Sequence, residues 1–488
     1  MVRHKLVGEM MLLGRTSRQA HSSPVRRRLT ASPASPLLLS NMNHLSSTPM
    51  TTAPGSSTGH SRRQFLKSST AAGVTTLFAF NLAQRSTAFA ANADTLRVGL
   101  IGCGGRGTGA AGQALTADKN AVLVGVADPF EMQAKSCLNA LKNNAEFRDR
   151  VQVSAATIYT GLDGYEKLIA SGVDVVLLAA PPGFRPAHLK AAVAAGKHTF
   201  CEKPMATDSP GLRSVMESVQ MAKDKKLALV AGFCWRYDTA RREFYRRVHD
   251  GALGAIRAVH ATYLTGPVKP MPPASARPAG ISDVEWQLRN WYNFAWLSGD
   301  GLVEQACHSV DKIMWAMKDV PPVRCTANGG RNIPNHEGNI FDHLDVFYEW
   351  ADGARATMAQ RQTANCYSDN SDYLMGEKGY GIIKGWAAPM IRAGETWRYR
   401  SETKDDMYQN EHNELFAAIR AGKIINDGDW MTTSTLAALM GRMAAYTGQE
   451  VTWEQALNSQ WRIVPENLTW DMKLPIDPLA IPGTTKLV

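Results

Sequence analysis

Beyond residue 95 the chain alternates short apolar runs with amphipathic stretches. Residues 96–101, 122–127, 173–180, 199–201 and 227–231 are mostly apolar and of strand length, and helix-like stretches begin near Thr108, Pro129, Gly164, Pro186 and Asp208. Strands alternating with helices predict right-handed βαβ crossovers and a doubly wound parallel sheet buried on both faces. After about Cys234 the texture changes. Residues 255–265, 342–350 and 354–361 are longer runs with polar alternation, which predict an open, mostly antiparallel sheet. Helical stretches at 300–317, 408–421 and 432–446 flank it, and the spacing of Leu415, Ile419, Leu436, Leu439 and Met443 marks core. The proline-rich stretch 266–278 reads as a loop over a site. The expected organisation is a leader over 1–90, a dinucleotide-binding Rossmann domain over 95–234, an α/β substrate domain over 235–465 and a tail over 466–488.

A formal net charge of +10 raises the question of nucleic acid or an anionic membrane. Its distribution removes that question. Residues 1–90 hold 11 of the 54 Lys and Arg but only Glu9 among the 44 acidic residues, which leaves 43 of each sign in the rest. The excess has the form of a leader: Ser61-Arg62-Arg63-Gln64-Phe65-Leu66-Lys67 resembles the twin-arginine export signal, followed by an apolar stretch and Ala88-Phe89-Ala90. Cleavage after Ala90 and export to the periplasm or beyond, after cytoplasmic folding, are the expectations. The apolar stretch 71–83 is shorter than the ~20 residues of a spanning helix, so no stable membrane anchor is expected. The arginine pair lies far from Met1, and Met50 is the expected start. Seven dispersed cysteines without metal-ligand spacing argue against a disulfide framework and a metal site.

Gly102-Cys103-Gly104-Gly105-Arg106-Gly107 satisfies G-x-G-x-x-G directly after the first strand and before the first helix. The first glycine permits the turn, the second admits pyrophosphate to the backbone, and the third allows close helix packing. Asp128 ends the second strand, 26 positions after Gly102, where an acidic residue hydrogen-bonds the adenosine ribose. A carboxylate there favours NAD over NADP. Asp128 before Pro129 also suits a helix cap.

Ala179-Ala180-Pro181-Pro182, His188, Gly196-Lys197-His198 and Cys201-Glu202-Lys203-Pro204 together resemble the Gfo/Idh/MocA family over about residues 95–465. That resemblance implies that Pro181, Glu202 and Lys203 line the nucleotide site, and that Lys203 contacts both nicotinamide and the reacting hydroxyl. It extends to Glu304, His308 and Asp311, which are similar to the family's D-x-x-x-H-x-x-D helix with Glu304 in place of the usual Asp. On an α-helix the three project from one face. A carboxylate orienting an imidazole is the arrangement a general base needs, so Glu304 is expected to hold His308. Trp235-Arg236-Tyr237 matches the family's domain junction, which makes Arg236 a candidate cofactor contact. The stretch from Glu411-His412-Asn413 onward resembles exported members.

The resemblance implies hydride transfer between NAD and a secondary alcohol of a sugar, cyclitol or derivative. His308 would take the hydroxyl proton and Lys203 would polarise the oxygen, with Asp311 beside them at the substrate. It also implies a homo-oligomer paired through the open sheet. Two other functions share the fold: an NAD-dependent glycoside hydrolase acting by transient oxidation and elimination, and a non-catalytic nucleotide-sensing protein. Lys203 and His308 together speak against the second.

Overall fold

The computed structural model describes residues 94–333, 337–401 and 405–486. The arginine pair, the Ala90 site and Met50 therefore lie outside the described residues. Strand side chains buried on both faces require a sheet covered by helices on each side. The first lobe supplies this from β1 (Leu96–Ile101), α1 (Gly105–Ala117), β2 (Ala121–Asp128), α2 (Glu131–Lys142), β3 (Ile158–Thr160), α3 (Gly164–Ala170), β4 (Val175–Leu178), α4 (Arg185–Ala194), β5 (His198–Cys201), α5 (Ser209–Asp224) and β6 (Leu229–Ala231). The six strands run parallel in the order β3-β2-β1-β4-β5-β6. The order in which successive strands are added reverses between β1 and β4, which opens a crevice at the carboxyl ends of those strands. β3 left no apolar run in the sequence because Ile158-Tyr159-Thr160 is short and not buried.

After α6 (Thr239–His249), the second lobe is built on β7 (Ile256–Thr265), α7 (Asp283–Arg289), α8 (Cys307–Ala316), β8 (Arg324–Gly330), β9 (His343–Glu349), β10 (Arg355–Gln362), β11 (Ser371–Gly376), β12 (Gly379–Lys384), β13 (Met390–Ala393) and β14 (Glu395–Arg398). With β15 (Val451–Thr452) these strands form a nine-stranded sheet in the order β14-β13-β12-β11-β7-β10-β9-β8-β15. The β7–β10 pair is parallel and the other pairs are antiparallel. One face packs on helices, as the buried alternation of Ala356, Met358, Gln360 and Gln362 shows, while Phe347, Met375 and Tyr380 are exposed.

The chain then returns to the first lobe. α9 (Met407–Arg420) places Leu415, Phe416 and Ile419 in the same core as Leu96, Ala110 and Val230. Arg420 Nε reaches Asp118 at 2.6 Å, and Gln409 Nε2 donates to Gln113 O at 3.0 Å. The expected boundary at 234 thus leaves out a helix of the first lobe's core. α10 (Gly428–Thr447), almost wholly buried, and the short α11 (Trp453–Asn458) follow. Among the described residues no helix is long and apolar enough to cross a membrane.

Candidate active site

The loop after β1 is shaped by close approach. Gly102 has φ +93°, and a Cβ there would lie 2.4 Å from Ala180 N; a Cβ on Gly107 would lie 1.9 Å from Gly102 O. Gly104 and Gly105 differ, with no atom within 4 Å of the Cβ position, so the loop backbone is open to a ligand there. Gly104 begins α1 without a side-chain cap, so the helix N-terminus is left to an anion. Asp128 accepts from Cys103 N at 2.8 Å and Phe130 N at 2.9 Å. Burial raises its carboxyl pKa against the pull of those amides. Pro181 follows β4 on the far side of the crevice. These residues fit a dinucleotide: glycine backbone for the pyrophosphate, and the remaining acceptor capacity of Asp128 for ribose hydroxyls. Asp128→Asn is expected to weaken NAD by about tenfold through loss of charge-assisted bonds, with NADP unchanged or tighter. Titration with both nucleotides checks this, and an equal loss for both would mean that Asp128 only pins the loop.

β5 runs directly into Glu202 and Lys203, and the Lys203–Pro204 peptide is cis. Lys203 Nζ crosses to the second lobe, where it donates to Glu304 O and lies 3.1 Å from Glu304 Oε1. Burial opposes the ammonium, but the charges of Glu304 and Glu202 outweigh it and raise the pKa above the ordinary lysine value. His308 is one turn further on, at the start of α8, with its ring edge-on to Phe233 at 6.1 Å. Burial and then the charges of Lys203 and Lys312 hold its imidazole well below the usual range, and so neutral. Its Nδ1 has no partner among the described residues. A fixed ammonium at the end of β5 thus bonds the turn that leads into the His308 helix, and its charge acts on the neutral imidazole.

The expected Glu304–His308 pairing is corrected by the structure. Leu302–Ala306 form a π-helical turn, so Glu304 and His308 are not stacked as an α-helix would stack them. Glu304 instead divides its carboxylate between Lys203 and Gln305 Nε2, the latter at 2.6 Å, and Gln305 Oε1 accepts from Tyr263 OH at 2.8 Å. It orients the lysine. Asp311 is also corrected: it is 0% exposed, bound by Arg236 Nη2 at 2.8 Å and Ser434 Oγ at 2.7 Å, and cannot meet a substrate. Arg236 spends its guanidinium on Asp311 and Asp319, between the rings of Trp315 and Trp430, so it serves the core rather than the cofactor. Arg106 lies along α1, bonded to Glu202 and to Gln113 Oε1 at 2.8 Å, with Glu411 Oε1 at 3.6 Å. Glu411 is fully buried, and burial together with the neighbouring Glu202 charge raises its carboxyl well above the ordinary range.

Two further residues build the site without having been anticipated. Asp300 holds φ +119°, unusual for a residue with a Cβ, and its Oδ1 accepts from Leu302 N at 2.8 Å and Val303 N at 3.0 Å, capping the turn that carries Glu304. Arg442 on α10 donates from Nη1 to Thr207 O at 2.7 Å and Gly299 O at 3.1 Å. It thereby ties the segment after Lys203 to the segment before Glu304. A lone arginine in an otherwise apolar stretch of α10 was the available signal.

A glycine loop at a strand-order reversal, with a lysine from one lobe meeting a histidine helix from the other, defines a two-lobed, nucleotide-dependent oxidoreductase. Comparison with known proteins agrees. Residues 96–233 match the oxidoreductase family with an NAD-binding Rossmann fold, residues 242–381 match the GFO/IDH/MocA C-terminal domain, and the chain belongs to the Gfo/Idh/MocA family. The inositol 2-dehydrogenase of Rhizobium meliloti is 23% identical over 325 residues, covering 66% of this chain and 86% of that enzyme. The inositol 2-dehydrogenase of Paracoccus denitrificans is 34% identical over 169 residues, 35% of this chain and 46% of that enzyme. Among solved structures, the aldose-aldose oxidoreductase of Caulobacter crescentus, complexed with glycerol, shares the fold with a TM-score of 0.57 at 18% identity, covering 73% of this chain and 99% of that one.

Proposed function

We propose that the protein transfers hydride reversibly between NAD and a secondary alcohol carbon of a sugar, cyclitol or derivative. The observation that supports this reading is that Lys203, at the carboxyl end of β5 and next to Glu202, which Arg106 of the glycine loop bonds, reaches Glu304 on the turn leading into the helix that carries His308. Bound NAD supplies hydride acceptance at its nicotinamide ring. His308 takes the hydroxyl proton on an imidazole nitrogen, and Lys203 places positive charge where alkoxide character develops. Glu304, itself held by Gln305 and behind it Tyr263, fixes the lysine's direction. Named relatives act on inositol and on aldoses, which supports a polyhydroxylated substrate. Incubating the protein with NAD and a panel of cyclitols, aldoses and their glycosides tests the reading. Net formation of NADH supports it, whereas release of an aglycone with no net NADH would replace it with the glycosidase chemistry.

Export by the twin-arginine route belongs to the same proposal and is supported by the Arg62-Arg63 leader. The double change Arg62→Lys, Arg63→Lys is expected to leave folded protein in the cytoplasm. Fractionation and N-terminal sequencing of the exported protein check it; normal export of that variant would overturn the assignment.

A further inference from the structure

The chain after α11 carries a pattern of its own. Leu468, Trp470, Met472, Leu474 and Ile476 alternate with Thr469, Asp471, Lys473 and Pro475, a period-two pattern with one apolar face, and the chain turns at Trp470–Asp471, where Met472 N donates to Thr469 O at 3.2 Å. That face packs on the cluster of Val284, Trp286, Phe294 and Leu297, which also receives Phe130, Leu162 and Phe184 from the ends of β2, β3 and β4. Hydrogen bonds pin the segment at both ends. Ile463 N and Val464 N donate to Asp208 Oδ2 at 2.9 and 3.2 Å, Leu474 N donates to Asp283 Oδ2 at 3.2 Å, and Gln287 Nε2 donates to Leu474 O at 2.8 Å.

Between these anchors the segment reaches Phe130, two residues past the end of β2. Trp470 lies with its ring centroid 5.9 Å from that of Phe130, tilted by 56°, and the Arg289 guanidinium stands 4.7 Å from the Phe130 ring. Phe130 is two residues from Asp128 and donates its N–H to that carboxylate at 2.9 Å. A ribose held by Asp128 has its base one bond from C1′, which brings the base within reach of Phe130, Arg289 and Trp470. Two aromatic rings and a guanidinium are the groups that hold a purine face by stacking and cation–π attraction.

We propose that Arg289 and Trp470 complete the adenosine end of the nucleotide site with Phe130, so that chain outside the Rossmann lobe holds the base and sets how long NAD stays. This rests on the assignment of NAD to the glycine loop and Asp128. The test uses the full-length protein with NADH, ADP-ribose and reduced nicotinamide mononucleotide as probes, reading NADH release by its fluorescence and the affinities of the two half-ligands by calorimetry. Trp470→Ala should speed NADH release by about tenfold and weaken ADP-ribose by about the same factor, while leaving the mononucleotide unchanged. Trp470→Phe should restore the parent values. Arg289→Ala, which leaves the apolar packing in place, should act in the same direction by about threefold. Unchanged NADH release in Trp470→Ala and Arg289→Ala would overturn the proposal, as would equal weakening of the mononucleotide, which would show general loosening. If the parent bound neither NADH nor ADP-ribose, the nucleotide assignment itself would fall, a result distinct from both.

Discussion

His308→Ala is expected to lower alcohol oxidation by about 10²–10⁴-fold, the usual worth of a positioned general base, with NADH binding retained because no part of His308 belongs to the glycine loop. Lys203→Ala should cost at least as much, since it removes the charge that opposes a developing alkoxide. The pH profiles separate the roles. An unperturbed imidazole protonates at about 6.5, but burial and the Lys203 charge depress the pKa of His308. The neutral, proton-accepting form therefore persists on acidification, and the parent rate should hold as pH falls through the ordinary histidine range. Removing Lys203 removes a repelling positive charge, so the imidazole gains a proton more easily and the acid limb of the residual rate should move to higher pH. Stopped-flow reduction of NAD across pH reads both. Near-normal rates in the two variants would remove these residues from the chemistry.

Arg442→Met should destabilise the protein by about 2–3 kcal/mol, the cost of leaving buried carbonyls without their charged donor. Arg442 is 1% exposed and donates to Thr207 O and Gly299 O, and its charge offsets part of the burial that pushes the Asp300 carboxyl up to about 6. Methionine fills similar volume but satisfies neither carbonyl and leaves Asp300 without its cation. Arg442→Lys keeps the charge without the planar fork, so it should fall between the two. Denaturant unfolding of the three proteins gives the values, and a loss below about 1 kcal/mol for methionine, the range of exposed pairs, would show that the cluster is not the tie between Lys203 and the His308 helix.

What the sequence made legible was the periodic part of the fold. The run at 96–101 coincides with β1, and the glycine loop lies between it and α1 as its spacing requires. Lys203 and His308 stood out as candidates because each sits in a motif, and the structure places Lys203 at the end of β5 and His308 at the start of α8. The Glu304 role was misread because sequence spacing assumes an α-helix, and the π-turn over Leu302–Ala306 leaves no periodic mark. Asp311 and Arg236 were misassigned for a different reason. Charged residues in a family motif suggest a ligand, yet these two satisfy each other in the core, and only tertiary contact shows it. The docking of α9 on the first lobe is likewise a long-range contact without a local signature. The period-two pattern from Leu468 to Ile476 was available in the sequence, but taking the region as a tail concealed it.

Deuterium transfer tests the central claim most directly. A cyclitol or aldose substrate found to reduce NAD would be supplied deuterated at the reacting carbinol carbon, and the nicotinamide product analysed by mass spectrometry and NMR. The account predicts one deuterium at nicotinamide C4 of the NADH formed, with none in solvent, and loss of that transfer in Lys203→Ala. Product formed with the label washed into water and the nicotinamide unlabelled would contradict direct hydride transfer at this site.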